Sequence, residues 1–387
     1  MKIASSVNRL GTEAVYNIFA KTKKLIHQGK EIIDLSLGQS DFKSPKHAVD
    51  AAIKALQDGR HGYTLPNGII ECRQAVSRKI KNLYKADVNP DRIVIMPGGK
   101  PTMHYAISFF GEPDVEIIYP DPGFPIYESM INFTGAKPIS YNMIEAKDFS
   151  IDPNKILSLI NEKTRLLILN NPHNPTGGFT EKKVIDKLAD GLKNFPNLAI
   201  LSDEVYDRLI FDKKEIPTLL NYPDLYDRLI VLNGWSKTYA MTGWRLGWSV
   251  WPEKLIDHVF KFCVNSHSCV NTPAQYGAIA ALDGTEDYLQ NMMEEFTARR
   301  KIIVDGLRSL KGVECSLPGG SFFVFPNVKD TGMNGQEFTK KCLNEAGVAM
   351  IPGTAFGKFA TDNVRFNFAT SRENISKAIE KIDKILK

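Results

Sequence analysis

The sequence predicts an α/β fold, a mainly parallel central sheet flanked by helices, joined to a smaller α+β domain. Three observations carry this expectation. Short apolar runs rich in β-branched and aromatic residues alternate with stretches of helical periodicity, the pattern of strands linked by crossover helices. Those runs are hydrophobic throughout instead of alternating, as strands covered on both faces must be. After about Leu282 the order changes to long helices separated by isolated strands. With 387 residues the chain is too long for one small core.

In order, the strands of the central sheet are expected at Arg92 to Met96, Val115 to Tyr119, Arg165 to Asn170, Leu198 to Ser202, Leu229 to Asn233 and Leu246 to Trp251. Beyond them, Glu286 to Leu310 reads as one long helix. It is followed by a strand at Ser321 to Phe325, a helix near Glu337 to Glu345, a strand at Val364 to Phe368 and a closing helix. An N-terminal helix near Thr12 to His27 packs naturally with these, so the expected division is a large domain over residues 46–284 and a discontinuous small domain of residues 1–45 plus 285–387. Gly and Pro sit singly at turns, with no repeat or linker.

A hydrophobic fraction of 43%, a charged fraction of 24% and 10% aromatics describe an ordinary globular protein. The net charge of +5 is small, and the basic clusters are short: Lys21, Lys23 and Lys24 in a helical pattern, Lys213-Lys214 in a turn. They read as solvated faces, not as a nucleic-acid surface. Cys72, Cys263, Cys269, Cys315 and Cys342 are scattered and odd in number, which argues against a disulfide framework and a structural zinc site; no metal is expected. Met-Lys-Ile-Ala-Ser-Ser has no apolar signal core, and no run reaches the roughly 18 apolar residues of a membrane span. The expected location is the cytoplasm.

In an open α/β sheet, ligands bind beyond the carboxyl ends of the strands. After Met96 comes Pro97-Gly98-Gly99-Lys100 and then a helical pattern, so backbone N–H groups there can approach an anion. The spacing is neither a P-loop nor a dinucleotide fingerprint, and a plain turn is equally compatible. After Asn170 comes Asn171-Pro172-His173-Asn174-Pro175-Thr176-Gly177-Gly178, a turn stiffened by its prolines that also holds an amide where a ligand would lie. Ser202 leads into Asp203-Glu204-Val205-Tyr206, a carboxylate at a strand tip with a phenol three residues on. After Asn233 runs Gly234-Trp235-Ser236-Lys237-Thr238-Tyr239-Ala240-Met241-Thr242-Gly243-Trp244-Arg245-Leu246-Gly247. A Lys and an Arg eight residues apart among aromatics and small residues suit a dry amine and an anion-holding guanidinium better than a solvated face.

The segment from Ser236-Lys237 to Gly247 resembles the pyridoxal-phosphate lysine signature of the class I/II aminotransferases of fold type I. Asn174-Pro175-Thr176-Gly177 and Asp203-x-x-Tyr206 resemble the family's other hallmarks, in the same order, and the likeness runs from Asp34-Leu35-Ser36-Leu37-Gly38 to Val364-Arg365-Phe366. The resemblance implies pyridoxal 5′-phosphate held as a Schiff base on Lys237, which then shuttles the proton at the substrate Cα. A desolvated lysine near other cations has the lowered pKa this needs. It further implies Asp203 on the pyridine nitrogen, Asn174 and Tyr206 on the phenolic oxygen and Phe124 stacked on the ring. The phosphate falls to Arg245, Ser236 and the amides of Gly99 and Lys100, with Tyr63 reaching over from a second subunit of a homodimer. The family often has a serine where this chain has Gly234. Arg365 is implied as the clamp on the substrate α-carboxylate, helped by Asn174 and the backbone near Gly38.

The resemblance therefore implies amino transfer between an L-amino acid and a 2-oxo acid, with no nucleic-acid or membrane partner. One aspartate-specific branch reads the distal carboxylate with an arginine from the neighbouring subunit, and no arginine lies between Lys261 and Arg299 where it is expected. A second, bacterial branch uses a lysine at the place of Lys100, with a hydroxyl from the N-terminal helix, where this chain has Val15-Tyr16. Aspartate or glutamate is the favoured substrate; an aromatic or neutral amino acid is the alternative, as is a carbon–sulfur β-lyase or decarboxylase built on the same cofactor residues. A regulator with a degenerate aminotransferase body would carry a further DNA-binding domain, for which this sequence leaves no space.

Overall fold

The computed structural model describes residues 1–12, 14–212 and 215–387, and Lys213-Lys214 lie outside the described residues. At its centre is a seven-stranded sheet in the spatial order Ile93–Met96, Gly247–Val250, Leu229–Gly234, Ala199–Asp203, Thr164–Asn170, Glu116–Asp121, Lys137–Asn142. Every pairing is parallel except those of Gly247–Val250, which runs antiparallel to both neighbours. Continuous hydrophobicity does not distinguish this strand from its parallel partners. The segment between Gly234 and Gly247 is too short for a helical crossover, so the chain must double back.

Alternate residues of each strand feed two apolar layers. Ile93, Ile95, Leu167, Leu169, Ile200 and Val231 face a core closed by the helices Ile70–Tyr84, Lys182–Leu192 and Thr272–Asp283. Val94, Met96, Leu166, Ile168, Leu201 and Leu232 face the opposite core, under Lys100–Phe110, Ile126–Thr134 and Ile256–Ser266. Burial on both sides explains the unbroken apolar runs. The edge strand Lys137–Asn142 is not legible in the sequence. Its Lys-Pro-Ile-Ser-Tyr-Asn is half polar and carries a proline, which an edge strand tolerates because one side needs no ladder bond.

A second core gathers Phe296, Phe322, Phe323, Phe338, Phe366 and Phe368. It is built by the helix Asp287–Ser309, an antiparallel sheet in the order Ile351–Pro352, Val364–Asn367, Phe323–Val324, and the helix Arg372–Leu386. The N-terminal strand Ile33–Asp34 pairs with Val348–Ala349. Leu289, Met292, Phe296, Ile303 and Leu307 recur at helical spacing along the inner face of the long helix. The helix expected near Glu337 to Glu345 is Gly335–Lys341, opened by an Asn334/Glu337 capping box and finished by a π-turn at Cys342–Ala346. Arg299 clamps the segment before the large domain: its Nη1 and Nη2 donate to the two Asp41 carboxylate oxygens at 2.7 and 3.0 Å.

No helix among the described residues is long and apolar enough to cross a membrane. Phe296 is fully buried, edge-on to Phe42 at 5.6 Å and against Phe322 at 5.9 Å. Its replacement by Ala should lower the unfolding free energy by about 3 to 5 kcal/mol, read from urea melts of the cofactor-free protein.

Candidate active site

The sheet register sets Asn170 beside Asp203, so these two strands end level, and Asp203 beside Leu232, so the third runs two residues further, to Gly234. The loops leaving these ends, together with Gly99, Phe124 and Arg365 of the strand Val364–Asn367, line a cavity of about 540 Å³. Gly38, Gly99, Lys100, Phe124, Asn174, Asp203, Tyr206, Ser236, Lys237, Arg245 and Arg365 all line it. Tyr63, the remaining residue singled out by the sequence, does not: its side chain is 93% exposed.

Lys237 Nζ projects into this cavity and donates to the Gly38 carbonyl at 2.7 Å. Its ammonium lies 5.7 Å from the Phe322 ring centre and 5.9 Å from that of Tyr206. Burial, then the nearby Arg365 and Arg245 charges, bring its pKa down to about 8. Asp203 stands opposite in charge. Burial pushes its carboxyl up to about 6, against the hydrogen bonds of Tyr127 and the Val205 N–H and the charge of Lys237. A nucleophilic amine and a buried carboxylate thus both titrate near neutrality within one cavity.

At one end the walls suit an anion. The helix Lys100–Phe110 starts at Gly99 with its N–H groups directed at the cavity, and Arg245 lies alongside. Gly98 has φ +86°, and a Cβ on it would fall 2.0 Å from Arg245 Nη2, so only glycine admits the guanidinium there. Arg245 Nη1 donates to the Thr242 carbonyl at 2.7 Å, which fixes its aim. The glycines of the neighbouring strands are packed just as closely. A Cβ on Gly234 would meet Gly247 Cα at 2.8 Å, and one on Gly247 would meet the Gly98 carbonyl carbon at 2.6 Å. With the backbone as it stands, a side chain at position 234 would require the facing strand to shift.

At the other end Arg365 is buried between the rings of Phe323 and Phe356, 4.3 and 4.7 Å from their centres. Its Nη1 donates to Asn174 Oδ1 at 2.9 Å and its Nη2 to the Ser36 carbonyl at 2.7 Å. Asn174 is held in turn by its N–H to Asn170 Oδ1 at 3.0 Å. Between the two ends, Lys100 Nζ sits 5.5 Å from the ring centre of Tyr16 and 5.6 Å from that of Phe124.

Tyr127 and Asn170 belong to this neighbourhood without a role assigned from the sequence, whereas Tyr16, which stands where a hydroxyl partner of Lys100 is expected, sets its ring beside Lys100. Asn170 ends a strand and is therefore visible in principle. Tyr127 is one helical turn past Phe124, a spacing that shows only once Ile126–Thr134 is known to be helical. His173, conspicuous inside its motif, is turned inward: Nδ1 is 2.8 Å from Thr176 Oγ1, and burial lowers its pKa to about 3, so it is neutral and structural. Among the described residues no group of three or more His, Cys, Asp or Glu could hold a metal ion.

The sequence was compared with known proteins. Residues 30–382 match the family model for aminotransferase class I and II. The chain is 38% identical to a probable aspartate aminotransferase of Methanocaldococcus jannaschii, covering 92% of this chain and 93% of that protein. It is 34% identical to aromatic-amino-acid aminotransferase 2 of Thermococcus litoralis, over 93% of each. Among solved structures, aspartate aminotransferase from Thermus thermophilus with maleate superposes with a TM-score of 0.94 at 28% identity, covering 100% of both chains.

The electrostatics of Lys237 can be tested without any ligand. Competitive trace acetylation of the cofactor-free protein, read peptide by peptide, should give Lys237 a midpoint near 8, well below that of the exposed lysines. A midpoint in the ordinary lysine range would contradict the description of this amine as desolvated.

Proposed function

The chain belongs to the class I and II aminotransferase family, and from that premise we propose which residues perform which part of the reaction. The protein is a pyridoxal-5′-phosphate-dependent aminotransferase, moving an amino group between an L-amino acid and a 2-oxo acid. Its cavity fits that cofactor. The volume of about 540 Å³ offers an amine, a buried carboxylate, and a glycine-lined helix N-terminus beside an arginine. When bound, the cofactor supplies an electron sink for the pair released as the Cα–H bond breaks.

Lys237 is the residue we assign to covalent cofactor attachment and, once displaced by the substrate amine, to carrying the proton from the substrate Cα. A pKa of about 8 leaves about a tenth of the amine neutral at pH 7 and about half at pH 8, far more than an ordinary lysine, as a nucleophile and a general base require. Asp203 keeps the proton on the ring nitrogen. Asn174 and Tyr206 would donate to the phenolic oxygen of the bound cofactor, and Phe124 would cover one face of its ring. Arg245 and Ser236, with the amides of Gly99 and Lys100, take the phosphate, where a planar guanidinium offers paired N–H donors. Arg365 takes the substrate α-carboxylate with Asn174 and the backbone at Gly38, and the bond from Arg365 to Asn174 shows that the two already share one locus. The observation that carries the reading is that Lys237, Asp203 and Arg365 line one cavity.

Lys100 is our candidate for reading a distal carboxylate, so aspartate or glutamate is the preferred substrate. The aspartate aminotransferases among the relatives, one of them solved with maleate, favour this reading. The rings of Tyr16 and Phe124 beside Lys100 favour a second reading, an aromatic substrate, in line with the Thermococcus litoralis relative. A homodimer is proposed because Tyr63 is 93% exposed and lies outside its own chain's cavity, free to serve a partner's. The five free cysteines suit the reducing cytoplasm. We retain the division at residues 46–284 against 1–45 plus 285–387, with the small domain closing on the substrate through Arg365.

Addition of single amino acids to the cofactor-loaded enzyme, without any 2-oxo acid, should shift its visible band with aspartate or glutamate; release of pyruvate would instead indicate a β-lyase. Lys237→Ala should abolish turnover, and Arg365→Ala should raise KM for every α-amino acid by roughly 10- to 100-fold. Lys100→Ala should raise KM for aspartate by a similar factor and leave phenylalanine nearly unaffected; equal effects on both would remove Lys100 from substrate reading. Equilibrium sedimentation should give a dimer, and a fully active monomer would exclude the role of Tyr63.

A further inference from the structure

We propose that Tyr127 is a positioning residue of the cofactor site: its phenol holds the Asp203 carboxylate ionised and oriented toward the ring nitrogen, while its ring sets the plane of Phe124. The proposal rests on the assignment of Asp203 to that nitrogen. Tyr127 is fully buried on the helix Ile126–Thr134. Its hydroxyl donates to Asp203 Oδ2 at 2.6 Å, a short, charge-assisted geometry. The Val205 N–H donates to the other oxygen, Oδ1, at 3.3 Å, so the two donors fix the carboxylate plane from two sides. The same ring meets Phe124 edge-on, with centres 5.9 Å apart and planes at 82°.

One helical turn therefore connects the two walls that a planar heterocycle would touch, the aromatic over its face and the carboxylate at its edge. Tyr127 is suited to this because it cannot exchange roles with its partner. Burial and the adjacent Asp203 charge push its own pKa well above 10, so it remains a donor at any working pH. Each hydrogen bond to a carboxylate favours the charged form, and of the influences that oppose the burial of Asp203, the Tyr127 bond is the largest.

The test uses Tyr127→Phe, which removes one oxygen and keeps the packing, alongside Asp203→Asn. Affinity is measured for pyridoxal 5′-phosphate and for an analogue with carbon in place of the ring nitrogen. Tyr127→Phe should weaken pyridoxal phosphate about tenfold and the analogue by no more than about twofold, with kcat down about tenfold and KM for the amino acid nearly unchanged. Equal weakening of both compounds would mean a structural role and overturn the proposal, as would unchanged binding of both. If Asp203→Asn selectively weakens pyridoxal phosphate while Tyr127→Phe does not, Tyr127 alone is wrongly assigned. If Asp203→Asn shows no selectivity either, the assignment of Asp203 itself falls, and this proposal with it.

Discussion

Everything in this molecule is arranged around keeping an amine and a carboxylate together in a place with little water. Taken singly, neither charge belongs there: burial lowers the pKa of Lys237 to about 8 and raises that of Asp203 to about 6. Both shifts express the cost of a charge away from solvent, and each group lessens the other's. Such a pair can persist only at the rim of a scaffold stiff enough to impose it. The level strand ends at Asn170 and Asp203, backed on both faces by close-packed aliphatic layers, provide that rim.

The second core bears on the same cavity through Tyr206 and Phe323 and, most directly, through Arg365. Arg365 sits on a strand whose neighbours Val364 and Phe366 are fully buried, yet its guanidinium reaches Asn174 on the sheet domain and Ser36 on the N-terminal segment. Phe323 and Phe356 cover the faces of the guanidinium and leave its N–H edge to do the binding. Three chain segments distant in sequence thus meet at one cation. Substrate recognition and the relative placement of the two cores are, for that reason, a single problem in this structure.

Much of this was legible in the sequence because the physics was local. Strand tips followed by Gly-Gly, Asn-Pro, Asp-x-x-Tyr and Ser-Lys carry their chemistry in neighbouring residues, and the sheet brings those tips together whatever the details of its edges. What escaped reading was non-local. Gly247–Val250 looks like any buried strand until the lack of a crossover forces it to reverse direction, and Lys137–Asn142 is too polar to stand out because an edge strand has less to bury. Tyr127 reads as a core aromatic because its partner, Asp203, is 76 positions away. Asp203 itself was found from its place at a strand end, but nothing nearby in sequence announces what holds it.

The contact of Gly98, Gly234 and Gly247 has a further consequence. A Cβ on Gly234 would claim space held by Gly247, one on Gly247 space held by Gly98, and one on Gly98 space held by the Arg245 guanidinium, so exclusion passes in one direction along the three. At 234 and 247 the obstruction is backbone, whereas at 98 it is the guanidinium itself together with a positive φ. A hydroxyl at 234 therefore calls for a shift in the backbone of a different strand, the one that begins at Gly247, so a change of side chain there is also a change in how two strands meet.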